Sequence, residues 1–125
     1  FRFSRNDGRL MENLVAVALR QLELAGTLNL YYWKNAKQQE VDFVLQQSGR
    51  VIALIQVCTD LTDENTRHRE VNALLIAGRD CACENRIILT MDEEQTKDEE
   101  WFGIRGSIQY IPLWKWLQLP AIPGA

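Results

Sequence analysis

"EVDFVLQQSGRVIALIQVC", residues 40–58, reads as two short strands joined by a tight turn. The runs 39–46 and 51–58 are rich in Val, Ile, Leu and Phe, and "QQSGR" between them holds Gly49, which together signal a hairpin. Glu40 and Asp42 fall on the first strand, and Gln56, Val57 and Cys58 on the second. Residues i and i+2 of a strand share a face about 6.6–6.8 Å apart, so Glu40 with Asp42, and Gln56 with Cys58, are predicted to face alike. An acid between Val41 and Phe43 on a strand expected to be central is costly without a partner, which marks Asp42 as a candidate site residue. Glu40 reads as a solvated acid at a strand end.

Upstream, Gly8 precedes "RLMENLVAVALRQLELAG", where Leu10, Leu14, Val17, Ala18 and Leu22 approximate a helical stripe and Gly26 supplies a stop. Val15, Ala16 and Leu19 widen the stripe and predict burial on more than one side. The aromatic-rich "LNLYYWKN", 28–35, is a further strand. Downstream, "LTDENTRHREVNALLIAGRD" is a second helix with Thr62 or Asp63 as N-cap, Val71, Leu74 and Leu75 facing inward, and Gly78 at its end. "NRIILTM", 85–91, suits a buried strand. "SIQYIPLWKWLQ" supplies a last strand broken at Pro112 and then a short helix or turn, with Trp114 and Trp116 expected to seal the edge. The order α-β-β-β-α-β-β predicts an α/β sandwich with a mixed central sheet flanked by helices.

A length of 125 residues fits one domain, read as 1–118, with 119–125 as a tail or appended remnant. Hydrophobic residues at 46% and charged residues at 25% are globular values, and no apolar run approaches the roughly 18 residues of a membrane span. A start at Phe1, with no Met and no basic-then-apolar leader, suggests a segment of a longer protein and gives no sign of secretion. Three cysteines without framework spacing suit a reducing cytosol and free thiols.

The net charge of −3 disfavours coating of nucleic acid through bulk charge. "DEEQTKDEE", 92–100, holds six of the 17 acids and one of the 14 bases, leaving 13 bases against 11 acids, or +2, elsewhere. A local basic face therefore stays open, and 92–100 reads as a solvated loop. No glycine-rich phosphate loop of the Walker type occurs, so no ATP site is expected in this segment.

"GRLMENLVAVAL", "YYWKNAKQQEVDFVL", "IQVCTDLTDENTRHREVNALL" and "IQYIPLWKWL", in order from about residue 3 to about residue 118, resemble the C-terminal, DUF4143-type domain of a group of bacterial and archaeal AAA+ family ATPases. That domain type is similar to the PD-(D/E)XK nuclease-like superfamily, which includes restriction enzymes and archaeal Holliday junction resolvases. The resemblance implies a restriction-endonuclease-like fold in a cytoplasmic prokaryotic protein. Its implied partner is the N-terminal ATPase region of the parent chain, with DNA or RNA a further candidate and no membrane.

Active members of that superfamily set an acid on the first helix, an acid on the second strand and an acid-x-Lys on the third around one or two divalent ions. Mg²⁺ prefers hard oxygen ligands, polarises the scissile phosphate and lowers the pKa of a bound water. Carried over by position, Glu12 is the helix acid and Asp42 the strand acid, while Gln56 stands in place of the second strand acid and Cys58 in place of the lysine. The implied metal set is Glu12, Asp42, Gln56 and the backbone carbonyl of Val57, holding Mg²⁺ or Mn²⁺ weakly. Gln56 keeps an oxygen but loses a charge, and Cys58 supplies no ammonium, so the site reads as vestigial. The plainer reading pairs Glu12 with Arg9 or with the helix dipole, and makes Gln56 and Cys58 ordinary strand residues.

Cys58, Cys81, Cys83 and His68 form a permissible zinc set but lack paired C-x₂₋₄-C knuckles, so zinc is not expected, and His68 reads as a surface histidine. Tyr31, Tyr32 and Trp33 are candidates for base stacking, yet three in a row must alternate sides, so the core claims at least one. Three functions stay open: a nuclease-fold module that binds without cutting, a working metal-dependent nuclease, and a structural or oligomerisation domain. A basic groove past Asp42 favours the first two, and an acidic or apolar face there favours the third.

Overall fold

The computed structural model describes residues 5–124 as α1 (Arg5–Leu24), β1 (Asn29–Lys34), β2 (Glu40–Gln47), β3 (Arg50–Val57), α2 (Glu64–Asp80), β4 (Arg86–Thr90), β5 (Gln95–Trp101), β6 (Ile104–Pro112) and α3 (Leu113–Trp116). Residues 1–4, on which the reading of the chain's start rests, and residue 125 lie outside the described residues. The six strands form one mixed sheet in the order β1-β2-β3-β4-β6-β5. β1, β2 and β3 make an antiparallel meander, β3, β4 and β6 run parallel, and β5 pairs antiparallel with β6 at the far edge.

Alternation along the central strands divides the core in two. Leu54, Ile88, Ile108 and Tyr110 turn to one face, where α2 covers them with Val71, Leu74 and Leu75. Ala53, Ile55, Ile87 and Leu89 turn to the other, beneath Met11, Val15 and Leu19 of α1 and Leu113 and Trp116 of α3. The mixed sheet flanked by helices is thus as expected from the element order. The turn between β2 and β3 is the one that residues 47–50 call for: Ser48 and Gly49 both have positive φ, 54° and 77°, as a two-residue turn matching strand twist requires.

Several local expectations are corrected. Residues 92–100 are not a solvated loop throughout, since Gln95–Trp101 form edge strand β5. Phe102 and Gly103, with φ of 48° and 80°, make the same kind of two-residue turn, and a Phe-Gly pair is a weak signal for it. Lys97, Asp98 and Glu100 of β5 face solvent, where their charges oppose pairing with another chain's strand, while Glu99 is half-buried. Gly8 lies inside α1 rather than before it. The buried stripe of α1 is Met11, Val15 and Leu19, whereas Leu10, Leu14 and Val17 are 58%, 44% and 59% exposed. A helix apolar on two sides does not declare its phase; the sheet selects one. Asp63 is the N-cap of α2, accepting from the backbone N–H of Asn65 and Thr66, but the helix runs past Gly78 to Asp80. Trp116 is buried and Trp114 is exposed, so only one of the pair seals the edge. Residues 119–124 are tied down: Ile122 packs against the α1-side core, and the Pro123 carbonyl accepts from Asn85 Nδ2.

Candidate functional site

Asp42 and Gln56 meet where β2 and β3 part. The backbone ladder between these strands ends at Phe43 opposite Ile55, while β3 continues beside β4 to Val57 opposite Leu89. The register of β1 on β2 also slips between Tyr31 opposite Val44 and Trp33 opposite Val41, which places a bulge around Asp42. A bulge re-aims side chains and ends pairing, and here it turns Asp42 toward the gap.

Side chains bridge that gap. Gln56 Oε1 accepts the Asp42 N–H at 2.9 Å, and Gln56 Nε2 donates to the Glu40 carbonyl at 2.7 Å. Asp42 Oδ2 in turn accepts the Val57 N–H at 2.9 Å. Gln56, only 1% exposed, therefore stands in for a missing pair of backbone hydrogen bonds. Neutral amide chemistry suits the task, since one group must donate to a carbonyl and accept from an N–H, which a carboxylate cannot do.

The structure adds a residue that the strand reading missed. Glu70, on α2, is turned toward the gap, and its backbone carbonyl lies 3.5 Å from Gln56 Nε2. Burial, with Asp42 nearby, pushes the Glu70 carboxyl up to about 7. Burial likewise pushes Asp42 up to about 6, against the lowering effect of the Val57 N–H, with Glu12 and Glu40 adding repulsion. Glu12 is exposed on α1 and acts on both acids through its charge. A signal for Glu70 was present in the sequence: it precedes Leu74 by four residues and Ala77 by seven, which sets it on the inward stripe of α2. Cys58 is buried, and burial pushes its thiol up to about 11, so no charge of either sign stands at the lysine position near neutral pH.

Two oxygens of the expected metal set of Glu12, Asp42, Gln56 and the Val57 carbonyl already accept backbone N–H groups, the Gln56 oxygen from Asp42 and one Asp42 oxygen from Val57. Among the described residues, no group of three or more His, Cys, Asp or Glu is placed to hold a metal ion. The cavity beside Asp42, lined by Gln38, Glu40, Asp42, Arg69 and Glu70, measures about 70 Å³. Its rim is acidic, with Arg69 as its one base, and Lys34 lies 3.6 Å from Glu40 just outside. The four residues weighed for zinc are dispersed: Cys58 follows β3 at one end of the sheet, Cys81 and Cys83 precede β4 at the other, and His68 is exposed beside Glu64. Tyr31 and Tyr32 are exposed, and Trp33 packs against the α2-side core.

A mixed α/β domain whose central strands part around a half-buried carboxylate and a buried amide is the class that fold and site define. The chain belongs to the DUF4143 family, described as a domain of unknown function, whose model matches residues 7–116. It is 38% identical over 121 residues to the uncharacterized protein MJ1544 of Methanocaldococcus jannaschii, an alignment that covers 91% of this chain and 25% of that one. The chain thus spans about a quarter of the length of this curated relative. No solved structure matches the chain. No helix among the described residues is long and apolar enough to cross a membrane.

Proposed function

We propose that this domain is a restriction-endonuclease-like module that binds without cutting, carried as the C-terminal part of an AAA+ family ATPase. The observation that carries the reading is Gln56. Both polar atoms of its amide are engaged by the backbone of β2, at the position where an active nuclease of this type would need a free carboxylate. The buried neutral thiol of Cys58 supports the same conclusion, because a phosphoryl-transfer site without a cation loses its means of balancing developing charge.

The partner at this end of the sheet is a protein surface rather than nucleic acid. Glu12, Glu40, Asp42 and Glu70 outnumber Lys34 and Arg69 there, an acidic balance that opposes a phosphate backbone even with Glu70 partly neutral near pH 7. Exposed Leu10, Leu14 and Val17 on α1 supply apolar surface of the kind protein contacts use. That partner is the ATPase region of the parent chain, for which the fourfold longer relative leaves room.

The test is Mn²⁺-supported cleavage of supercoiled, single-stranded and RNA substrates by the chain and by Asp42→Asn. The expected result is no cleavage that depends on Asp42. Cleavage by the parent that disappears in Asp42→Asn would restore the reading as a working nuclease.

A further inference from the structure

A second polar constellation, built around Arg86 opposite Leu54, opens toward the other end of the sheet. Arg86 begins β4 and is 4% exposed, yet among the described residues it pairs with no carboxylate. Its Nε donates to the Leu74 carbonyl at 2.9 Å and its Nη2 to the Leu75 carbonyl at 3.3 Å, both in the last turns of α2. The negative end of the helix dipole therefore offsets part of its charge. Two glycines shape the space around it: a Cβ on Gly78 would lie 2.2 Å from Nη2, and one on Gly106 would lie 2.3 Å from Nη1. Nη1 forms no hydrogen bond among the described residues.

Arg86 borders a cavity of about 970 Å³, into whose lining Arg50, Arg79 and Arg105 also fall. Glu84 is the one acid in that lining. Arg79 contacts Asp80 at 3.2 Å and Arg105 contacts Glu100 at 3.2 Å, whereas Arg50 is in no ion pair among the described residues. Val51, Ile52 and Ile104 give the walls an apolar share. The volume lies in the range of small-molecule sites. Arginine guanidinium groups bind phosphate oxygens through paired N–H donors, and a sheltered one does so in a lower dielectric than surface charges do.

We infer that this arginine-lined cavity is a binding site for a small ligand bearing a polyphosphate group, seated on Arg86 and flanked by Arg50 and Arg105. The site is independent of the reading given to Asp42 and Gln56: Arg86 stands opposite Leu54, two residues before Gln56, but its hydrogen bonds go to Leu74 and Leu75, and Arg50 is at the far end of β3. It uses no glycine-rich loop, so the lack of that motif does not bear on it. The cradle explains why Arg86 is buried without an acid: the helix carbonyls hold the guanidinium in place while one nitrogen stays open to a ligand.

The test is calorimetric titration of the chain with inorganic pyrophosphate in about 150 mM KCl, where surface charges more than about 8 Å apart are largely screened. Saturable one-to-one binding is expected, weakened at least about tenfold in Arg86→Lys, which keeps the charge and loses the planar fork. Arg50→Ser combined with Arg105→Ser changes exposed residues, so folding is retained, and it should weaken binding at least about tenfold as well. The inference is overturned by binding that vanishes at this salt, by more than one pyrophosphate per chain, or by an affinity that the double variant leaves unchanged. Arginine-dependent binding of a single-stranded oligothymidylate without binding of pyrophosphate would also overturn it, in favour of a nucleic-acid contact.

Discussion

At the C-terminal end of β3, Asp42 and Gln56 bind backbone groups where two strands part; two residues or roughly 7 Å back along the sheet by strand rise, Arg86 stands opposite Leu54 and binds carbonyls in the last turns of α2. Both places bury a polar side chain in the sheet, yet they treat charge in opposite ways. At the first, Asp42 is in no ion pair among the described residues and Glu70 has only Arg69 at 4.0 Å, and burial holds both carboxyls toward their neutral forms. The guanidinium of the second keeps its charge beside helix carbonyls and leaves one nitrogen unbonded. A residue in a ligand's sequence position can thus be committed to the backbone, while one with no motif around it can present an open donor.

The contrast can be broken most severely at Gln56. Gln56→Leu removes both bridges and strands the Asp42 N–H and the Glu40 carbonyl, so chemical denaturation should report a loss of about 3–4 kcal/mol. A loss within about 0.5 kcal/mol would mean that the parted strands close on their own, and the bridging role would fall. Next in size is Gly78→Ala, beside Arg86. Within a helix this change ordinarily gains up to about 1 kcal/mol. Here the new methyl meets the Arg86 guanidinium, so the expected outcome is a loss of about 2–3 kcal/mol, and a gain would remove the cradle.

The pH dependence sharpens the comparison further. The native carboxyls of Asp42 and Glu70, at about 6 and about 7, stand above their ordinary 3.8 and 4.5, so the folded state holds these protons more tightly than the unfolded chain does. The stability they contribute is complete below about pH 4 and is lost as pH rises through about 6 and 7. Glu70→Gln should flatten that decline by on the order of 2 kcal/mol between about pH 4 and 8, measured by denaturant melts across the range. An unchanged pH profile would place Glu70 outside the strained pair. The smallest expected effect belongs to Arg50→Ser with Arg105→Ser, which should alter stability by no more than about 0.5 kcal/mol while altering anion binding. A larger loss of stability would mean that these side chains support the fold rather than line a site.

The hairpin at 40–58, the order of the larger elements and the candidate status of Asp42 followed from the sequence, because alternation, apolar runs and the cost of a buried acid are local properties. β5 escaped notice since its hydrogen bonds come from the backbone of β6 and its side chains carry charges that suit a loop equally well. The phase of α1 escaped because apolar residues lie on two of its sides and only the sheet decides which is covered. Gln56 was legible as a departure from a catalytic pattern. Its commitment to the Asp42 N–H and the Glu40 carbonyl was not, since that depends on where two strands stop pairing. Gly78 resembled a helix stop because glycine's conformational freedom is a local property; the guanidinium that requires the missing Cβ arrives from a strand eight residues later, and only tertiary structure brings it there.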